Sequence, residues 1–430
     1  MTGSTPALVA RTRRLDAEVD HVAVARADGV LWDATDVSLA GRGVAREVVV
    51  DRGDPARCAA AVTAALGAVD VDDAVGVIGC GPVALGAWAF DPGRSGTLVV
   101  PEVVVGRNAE GTRWVTTTLP ADRTTADHDA CVAATLADAA AATEVTLAGF
   151  PTAEPPGPSG FRLDAHPDPA EWCEAVAAAC ADLRAGAADK VVLAREVEVI
   201  ADDDLPVAAI LTRLRRSFPD ALRFSVGGLV GASPELLVAR AGDIVRCHPL
   251  AGTAPRSGDP ATDGRLAAAL LSSSKNLAEH RHTIDAVHDA LIGYCSYLDE
   301  EAEPSVVAVA NVQHLGTRVQ GRLADPPASV VELVCALHPT PAVCGRPREA
   351  ALALIARHES LERGRWAGPV GWVDAAGNGA WAVGIRSAEI DGRRARVFAG
   401  VGVLPDSDPA AELAETRAKL AAMLGAIVRP

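Results

Sequence analysis

The sequence is poor in aromatic residues and contains no long uninterrupted hydrophobic run. Phe, Trp and Tyr make up 3% of the 430 residues, although hydrophobic residues as a whole make up 49%. A core of this composition has to be built mainly from Ala, Val and Leu. Because no stretch of about 18 apolar residues occurs and the N-terminal segment lacks the apolar region of a secretory signal, we expect a cytoplasmic protein that does not enter a membrane.

The chain also lacks an excess of positive charge and lacks paired cysteines. A formal net charge of −16 and a pI of about 5.1 give no basic surface for nucleic acid or an anionic membrane, so we expect neither as a partner. The nine cysteines show neither CxxC pairs nor zinc-finger spacing, which favours reduced, mostly buried thiols. An anionic substrate would therefore be bound by a few local cations, such as Lys190 and Arg386, or by a divalent metal.

The pattern of apolar runs and turns predicts an α+β fold in a single compact unit. Residues 1–150 alternate short apolar runs with turns, as antiparallel strands do, and an Ala-rich helix is predicted at about 126–143. A Pro/Gly-dense loop or linker follows at 151–163. Residues 164–430 combine helices with groups of several strands, including the β-branched run KVVLAREVEV that begins at Lys190, rather than regular strand–helix–strand units.

Two residues on separate apolar segments are candidates for acid/base chemistry. Lys190 opens a predicted strand, where alternation places its side chain on the same face as Val192. Glu235, in SPELLV, lies between a proline and two leucines, and such an apolar setting raises the pKa of a carboxyl. A strand-edge lysine and a surface glutamate beside a turn are the structural alternatives. The pair precedes a Gly252-Thr253 turn, which suggests an acid and a base facing a small anion.

Two predicted helices carry acidic residues that are candidates for a metal site. One helix covers about residues 276–298 and has Glu279 near its start. The other begins after Asp408, its predicted N-cap, and carries Glu412 and Glu415. A few hard oxygen ligands that leave room for water and substrate are what Mg²⁺ prefers. Acids near helix starts also complement the helix dipole, which is the structural alternative.

A lone arginine and two glycines are candidates for binding an anion. Arg386 lies within an apolar strand, and a buried arginine requires a carboxylate partner, supplied either by a substrate or by an internal salt bridge. Gly252 and Gly402 would allow backbone amides to approach an anion closely, because glycine has no Cβ atom. Ordinary turn glycines would produce the same pattern.

Several of these segments together resemble the chorismate-utilising enzymes, and within that family the isochorismate synthases. The resemblance covers about residues 190–424, more than half of the chain, whereas residues 1–150 match only loosely. It implies two large, mostly antiparallel β-sheets packed together with helices on the outside, residues 1–150 being a variable N-terminal part and residues 164–430 the catalytic region. The matching segments are KVVLAREVEV, SPELLV, HPLAGTAPR, SSKNLAEH, LHPTPAVCG, GPVGW and FAGVGVLPDSDP.

The resemblance implies roles for the acid/base pair. In this family the lysine at the position of Lys190 is the general base that deprotonates the attacking water. The glutamate at the position of Glu235 protonates the departing C4 hydroxyl of chorismate, while water adds at C2 and the ring double bonds shift. A lysine acts as a base near neutral pH only if burial or a neighbouring cation lowers its pKa from ~10.4, so we expect a desolvated amine.

The resemblance also implies a cofactor and substrate contacts. Mg²⁺ would be held against the ring carboxylate by Glu279 and Glu415, with Glu412 in support. A core histidine with satisfied hydrogen bonds is the alternative interpretation of His314. The implied substrate-binding residues are Arg386 and Lys419 for the carboxylates, Gly252, Thr253 and Gly402 in backbone turns, His314 near the ring, and Thr340 and Ala342 in the pocket wall.

The details of the motifs favour one reaction within the family. LHPTPAVCG replaces a different segment found in relatives that aminate chorismate, and Ala251 occupies a position where aminodeoxychorismate synthases carry lysine, so no glutaminase subunit is expected. We therefore expect isochorismate as the product, and we expect a monomer. The motifs do not distinguish the pathway; the high content of Ala and Arg favours menaquinone, with a catecholate siderophore as its alternative. A salicylate synthase, which goes on to expel pyruvate, and a chorismate-binding homologue without turnover are the alternative functions.

Overall fold

The structure, a computed structural model, describes residues 7–148, 157–309 and 312–428. Within these residues the helices are α1 (His21–Ala25), α2 (Pro55–Gly67), α3 (Thr125–Ala148), α4 (Pro169–Arg184), α5 (Val207–Ser217), α6 (Pro260–Ser272), α7 (Ser274–Leu291), α8 (Val330–Leu337), α9 (Arg348–His358) and α10 (Pro409–Ile427). A 3₁₀ turn covers Ile292–Tyr294.

The strands of the N-terminal part are β1 (Leu8–Arg14), β2 (Val30–Asp33), β3 (Val37–Arg42), β4 (Arg46–Val50), β5 (Val69–Asp73), β6 (Val83–Ala87), β7 (Gly96–Val100), β8 (Val103–Asn108) and β9 (Arg113–Pro120). Those that follow are β10 (Phe161–His166), β11 (Lys190–Ala201), β12 (Leu222–Val226), β13 (Leu229–Ser233), β14 (Leu236–Ala241), β15 (Ile244–His248), β16 (Leu250–Pro255), β17 (Cys295–Glu300), β18 (Ser305–Val309), β19 (Val312–Gly316), β20 (Val319–Leu323), β21 (Gly345–Arg346), β22 (Pro369–Asp374), β23 (Gly379–Val383), β24 (Ser387–Asp391) and β25 (Arg394–Val403).

The strands form two large sheets and one small sheet. The larger has the order β10-β11-β25-β24-β13-β12-β2-β3-β8-β9-β1-β5, with β21 added beside β11, and the second has the order β17-β20-β15-β14-β23-β22-β6-β7-β4. Neighbouring strands are antiparallel except β1 and β5, which pair in parallel. This architecture confirms the predicted α+β fold with mostly antiparallel sheets. The small sheet, β16-β19-β18, was not predicted.

The two large sheets pack face to face around an apolar core. Trp32, Trp114 and Phe224 of the larger sheet form one buried cluster with Leu85 and Trp372 of the second sheet. A further cluster covers the outer face of the larger sheet and includes buried side chains of helices α1, α5 and α10. Side chains that alternate between the two faces of a strand fill such layers, which explains how a chain with few aromatic residues still buries a large core.

Strands of the N-terminal part belong to the same sheets as strands from later in the chain. Strand β2 pairs with β12, and β6 pairs with β22. The single compact unit is therefore confirmed, while the division at residues 150 and 164 stays a prediction. Residues 151–156 of the predicted loop lie outside the described residues, and Phe161–His166 forms strand β10, so the loop ends before residue 163.

One of the two helix predictions differs from the structure at its end, and the other is confirmed at its start. Helix α7 begins after Ser273, whose side chain accepts a hydrogen bond from the backbone of Asn276, but the helix ends at Leu291 rather than near residue 298. It ends early because residues 295–300 form strand β17 at the edge of the second sheet. The predicted N-cap of α10, Asp408, is confirmed by its bonds to two backbone amides. No helix in the described part of the chain is both long and apolar enough to span a membrane.

The central pair of strands β11 and β25 positions the site described below. Residues 190–197 of β11 are all buried, so this strand runs through the protein interior. Val192 lies opposite Gly402 in the antiparallel register, and the short strand β21 brings Arg346 opposite Lys190 on the other side. Helix α10 follows β25 directly and packs back against it. The start of β11, the end of β25 and the start of α10 therefore meet in one place.

Candidate active site

A cavity of about 330 Å³ lies where these elements meet. It takes side chains from the two central strands, from helices α7 and α10 and from the small sheet. The structure brings together in it every predicted site residue except Thr340. The predicted residues that line it are Lys190, Glu235, Gly252, Thr253, Glu279, His314, Ala342, Arg386, Gly402, Glu412, Glu415 and Lys419.

Lys190 is buried and forms an ion pair in the cavity. Its side chain shares the cavity with Val192, as strand alternation predicts, and the residue is 8% exposed. The Nζ atom lies 2.6 Å from Oε1 of Glu279 on helix α7. The desolvated amine predicted from the sequence is thus present, and it is held by a carboxylate that was predicted to bind metal.

Glu235 is the most deeply buried carboxyl of the cavity. It lies between strands β13 and β14 and is 3% exposed. Burial raises the pKa of Glu235 to about 8, although the backbone amide of Leu250 and the charges of Lys190 and Arg386 oppose this shift. Glu235 is therefore protonated at neutral pH, which is the state that a general acid needs.

A hydrogen-bond chain connects Arg386 to the small sheet. The Nη2 atom of Arg386 lies 3.3 Å from Nε2 of His314, and Nδ1 of His314 lies 3.2 Å from the carbonyl oxygen of Gly252 and from Oγ1 of Thr253. Burial, reinforced by the charge of Arg386, lowers the pKa of His314 well below its ordinary value. The imidazole is thus neutral, so Nδ1 donates to Gly252 and Nε2 accepts from Arg386. The sequence left open whether His314 lies near the substrate ring or is a core histidine with satisfied hydrogen bonds. In the structure it lines the cavity and its hydrogen bonds are also satisfied.

Arg386 itself keeps an unused donor. The guanidinium is 7% exposed, and its Nε atom has no hydrogen-bond partner among the described residues. Burial lowers the pKa of Arg386 to about 10, while Glu415 and Glu235 act in the opposite direction. Since a buried donor without a partner is costly, this atom is suited to a carboxylate that enters the cavity.

Three carboxylates on two helices face the same space. Glu415 forms an ion pair with Lys419 at 2.6 Å, and Glu412 accepts a 2.7 Å hydrogen bond from Ser407. Burial would raise the pKa of Glu279, but the charge and hydrogen bond of Lys190 outweigh it and lower the pKa. For Glu412, burial and the neighbouring Glu415 raise the pKa despite the bond from Ser407.

This set of carboxylates fits Mg²⁺ in chemistry. Among the described residues no three His, Cys, Asp or Glu side chains lie close enough together to form a complete metal cage. Mg²⁺ is usually held by one or two carboxylates together with water and substrate, so a complete cage is not required. The carboxylates of Glu279 and Glu415, the two residues predicted to bind the metal, each form an ion pair with a lysine. Both carboxylates therefore already have a cation as their partner.

The two predicted glycines, Gly252 and Gly402, have different structural roles. Gly252 has a positive φ of 75° and lies at a register shift between β16 and β19, so the backbone there adopts a conformation that favours glycine. Gly402 lies in strand β25 beside Lys190. The predicted turn role therefore applies to Gly252, whereas Gly402 makes space for a side chain.

Thr340 is the one predicted residue that does not line the cavity. It is 3% exposed, and its carbonyl oxygen accepts hydrogen bonds from the backbone amides of Val343 and Cys344. This turn points Ala342 and Val343 at the cavity instead. The structure thus places the predicted wall segment and Ala342 at the cavity, whereas Val343 lines it and Thr340 does not.

Some residues that line the cavity were not predicted from the sequence. Lys275 lines the cavity one helical turn before Glu279, and that i, i+4 spacing is a signal that points to it. Trp366 and Phe398 stack with their ring centroids 5.8 Å apart and form an apolar wall. Nothing local in the sequence relates these two aromatic residues to each other.

Comparisons with known proteins show which proteins this chain is similar to. The family model described as chorismate binding enzyme matches residues 16–428. A proposed isochorismate synthase, MenF, of Mycobacterium tuberculosis is 39% identical over 364 residues, which cover 81% of this chain and 87% of that protein.

Two solved structures show the same fold over nearly the whole chain. A proposed 2,3-dihydroxybenzoate-specific isochorismate synthase, DhbC, from Bacillus anthracis is 31% identical with a TM-score of 0.77, covering 94% of this chain and 98% of that one. MenF, the menaquinone-specific isochorismate synthase from Escherichia coli, is 25% identical with a TM-score of 0.77, covering 97% of this chain and 95% of that one.

Proposed function

The chain belongs to the chorismate-binding enzymes, and on that premise we propose that it converts chorismate to isochorismate with Mg²⁺ as cofactor. The observation that carries the proposal is that a buried amine and a buried carboxyl, those of Lys190 and Glu235, line one cavity. The lysine is paired with a carboxylate, whereas burial keeps the glutamate protonated at neutral pH. A base and an acid in one pocket are what exchange of a ring hydroxyl requires.

In this mechanism each charged residue has one task. Once its ion pair with Glu279 has opened and the amine is neutral, Lys190 takes the proton from the water that adds at C2, and Glu235 gives its proton to the C4 hydroxyl as that group leaves. Arg386, with its unused Nε–H, holds one substrate carboxylate, and Lys419 supports it. Trp366 and Phe398 form an apolar wall of the cavity against which the ring of the substrate would pack.

Glu279 and Glu415, supported by Glu412, are the residues that would hold Mg²⁺. The ion would neutralise the ring carboxylate of the substrate and fix its position. Calorimetric titration with MgCl₂ tests this assignment, and Glu279→Gln should weaken binding at least tenfold. Equal affinity of the variant and the parent protein, or full activity of the parent protein in a chelator, would remove the metal from the proposal.

Product analysis tests the reaction directly. The protein is incubated with chorismate and MgCl₂, and the products are separated by chromatography. Isochorismate alone supports the proposal, and salicylate with pyruvate indicates the salicylate synthase alternative. Lys190→Ala, which removes the base, should bind chorismate without converting it. Binding without turnover by the parent protein would indicate a chorismate-binding homologue.

We further propose that the protein acts as a cytoplasmic monomer in menaquinone synthesis and without a glutaminase subunit. Water, not ammonia, is the nucleophile of the proposed reaction, so no ammonia-supplying partner is needed. A MenF protein and the DhbC of Bacillus subtilis are both 39% identical to this chain, but the MenF match covers 81% of it and the DhbC match 62%, and this wider coverage supports menaquinone. Restored menaquinone content in a bacterial strain that lacks its own isochorismate synthase, and a monomer mass by light scattering, test these points.

A further inference from the structure

The chain contains three lysines, and all three line the active-site cavity. Of its 40 basic residues, 37 are arginines, and the lysines are Lys190, Lys275 and Lys419. On a protein surface, arginine and lysine fulfil similar roles in solubility, and this chain uses arginine there throughout. Lysine differs in being a compact, flexible point charge with three donors. Its restriction to one cavity indicates that each of the three positions uses that property.

Two of the three lysines are already engaged. Lys190 contacts Glu279, and Lys419 contacts Glu415 and the carbonyl oxygen of Gly400. Lys275 forms no ion pair within 4 Å among the described residues, and it is exposed at the start of helix α7. It is therefore the lysine that remains available for a ligand.

The charges that line the cavity show what Lys275 adds. Three cations, Lys190, Arg386 and Lys419, are matched in number by the carboxylates Glu279, Glu412 and Glu415, and Glu235 is protonated at neutral pH. Lys275 therefore supplies the excess positive charge of the cavity. Because the chain as a whole carries a net charge of −16, a substrate with carboxylates approaches against the overall field and needs such a local cation.

We propose that Lys275 is the residue that captures the carboxylate substrate at the entrance of the cavity. This role rests on the proposed function, since it assumes an anionic substrate. Lys275 is a positioning residue: it contributes to binding and to the rate of association, and it takes no part in the transfer of protons between Lys190, water and Glu235. Arg386 then holds the same substrate in the buried interior.

A pair of variants with the same charge change tests the proposal. Lys275→Met should raise KM for chorismate about tenfold while kcat changes less than twofold. It should also reduce the dependence of kcat/KM on salt concentration, because a steering charge acts through a field that salt screens. Arg281→Met removes a positive charge from the same helix, where Arg281 is paired with Asp285 and Glu300, and should leave KM within twofold. Lys275→Arg, which keeps the charge, should retain most of the affinity.

Calorimetric binding of chorismate separates this proposal from the proposed reaction. A tenfold weaker affinity of Lys275→Met supports capture by Lys275, even if the parent protein forms a product other than isochorismate. Unchanged KM, affinity and salt dependence in Lys275→Met would overturn the proposal. So would a loss of kcat at constant KM, or an equal effect of Arg281→Met.

Discussion

Gly402 lies directly against Lys190 across the strand pair that forms the centre of the site. A Cβ atom at position 402 would lie 2.4 Å from Cε and 3.0 Å from Nζ of the lysine, and 3.2 Å from Oε1 of Glu279. Real Cβ atoms do not approach other atoms to 2.4 Å, so Lys190 has its present position only because residue 402 has no side chain. The absence of a side chain at residue 402 thereby determines where the amine of Lys190 lies.

Gly402→Ala should therefore lower kcat at least tenfold, because the methyl group displaces the amine of Lys190 from its place. Strand β25 tolerates alanine, so the free energy of unfolding should fall by only about 1–2 kcal/mol. Steady-state kinetics and urea unfolding measure the two effects. The control is Gly425→Ala in helix α10, where a Cβ atom meets nothing within 4 Å and a gain of up to about 1 kcal/mol is expected. Equal kcat in both variants would show that Lys190 is not positioned by Gly402.

The protonation of Glu235 predicts the alkaline side of the pH profile. Because the pKa of Glu235 is raised to about 8 and the proposed acid must carry its proton, kcat/KM of the free enzyme should fall as the pH rises above about 8. Glu235→Gln, which cannot release a proton, should lose on the order of 10²-fold or more in kcat. A profile without a decline between pH 7 and 9.5 would exclude Glu235 as the acid.

The same pKa shift predicts how stability depends on pH. The folded protein holds a proton on Glu235 between the ordinary value of 4.5 and about 8, whereas the unfolded chain has lost it, so stability decreases as the pH rises through this range. Glu235→Gln avoids this loss and should be more stable than the parent protein by on the order of 4 kcal/mol at pH 7.5, but by only about 1 kcal/mol at pH 5. Urea unfolding at both pH values measures it, and Glu303→Gln at an exposed site is the control. A pH-independent difference would contradict the buried, protonated carboxyl.

The unused donor of Arg386 predicts a defect in binding. Arg386→Lys keeps the charge but loses the planar guanidinium that can bond a carboxylate through two nitrogens, so KM for chorismate should rise about tenfold, which corresponds to about 1.4 kcal/mol. Arg240→Lys is a matched control, because Arg240 is equally buried but donates to the carbonyl oxygens of Gly242 and Gly377 outside the cavity. The control should lose stability and keep KM. An unchanged KM for Arg386→Lys would assign the carboxylate to another cation.

The sequence allowed most of the site to be predicted, but not the side chains that support it. Residues such as Lys190, Glu235 and Glu279 lie in segments whose resemblance to a family is specific, and their proposed roles follow from that resemblance. Thr340 was misplaced because a turn of the backbone decides which neighbour faces the cavity, and residue type does not reveal that turn. Helix α7 was predicted too long because pairing of β17 with β20, a tertiary contact, overrides the helical pattern after Leu291.

Arg363 is a residue whose importance only the structure shows. Its guanidinium donates hydrogen bonds to the carbonyl oxygens of Val343, at 2.8 Å, and Val192, at 2.7 Å. These two residues are 20 and 171 positions away in the sequence, and both line the cavity. It also forms a buried ion pair with Glu359, whose carboxylate accepts a hydrogen bond from the backbone of Ala194. One buried arginine thus ties together two walls of the active site.

Arg363→Met should destabilise the fold by about 3–5 kcal/mol, because it leaves Glu359 buried without its cation and two carbonyl groups without a donor. Glu359→Gln should also be destabilising, since the arginine then loses its partner. If the uncompensated charge is the main cost, the double variant Arg363→Met/Glu359→Gln should be more stable than the sum of the two single effects predicts, by at least about 1 kcal/mol. Urea unfolding of the four proteins measures this difference. Strict additivity would show that the two residues act independently, and the ion pair would then not be what holds the walls of the cavity together.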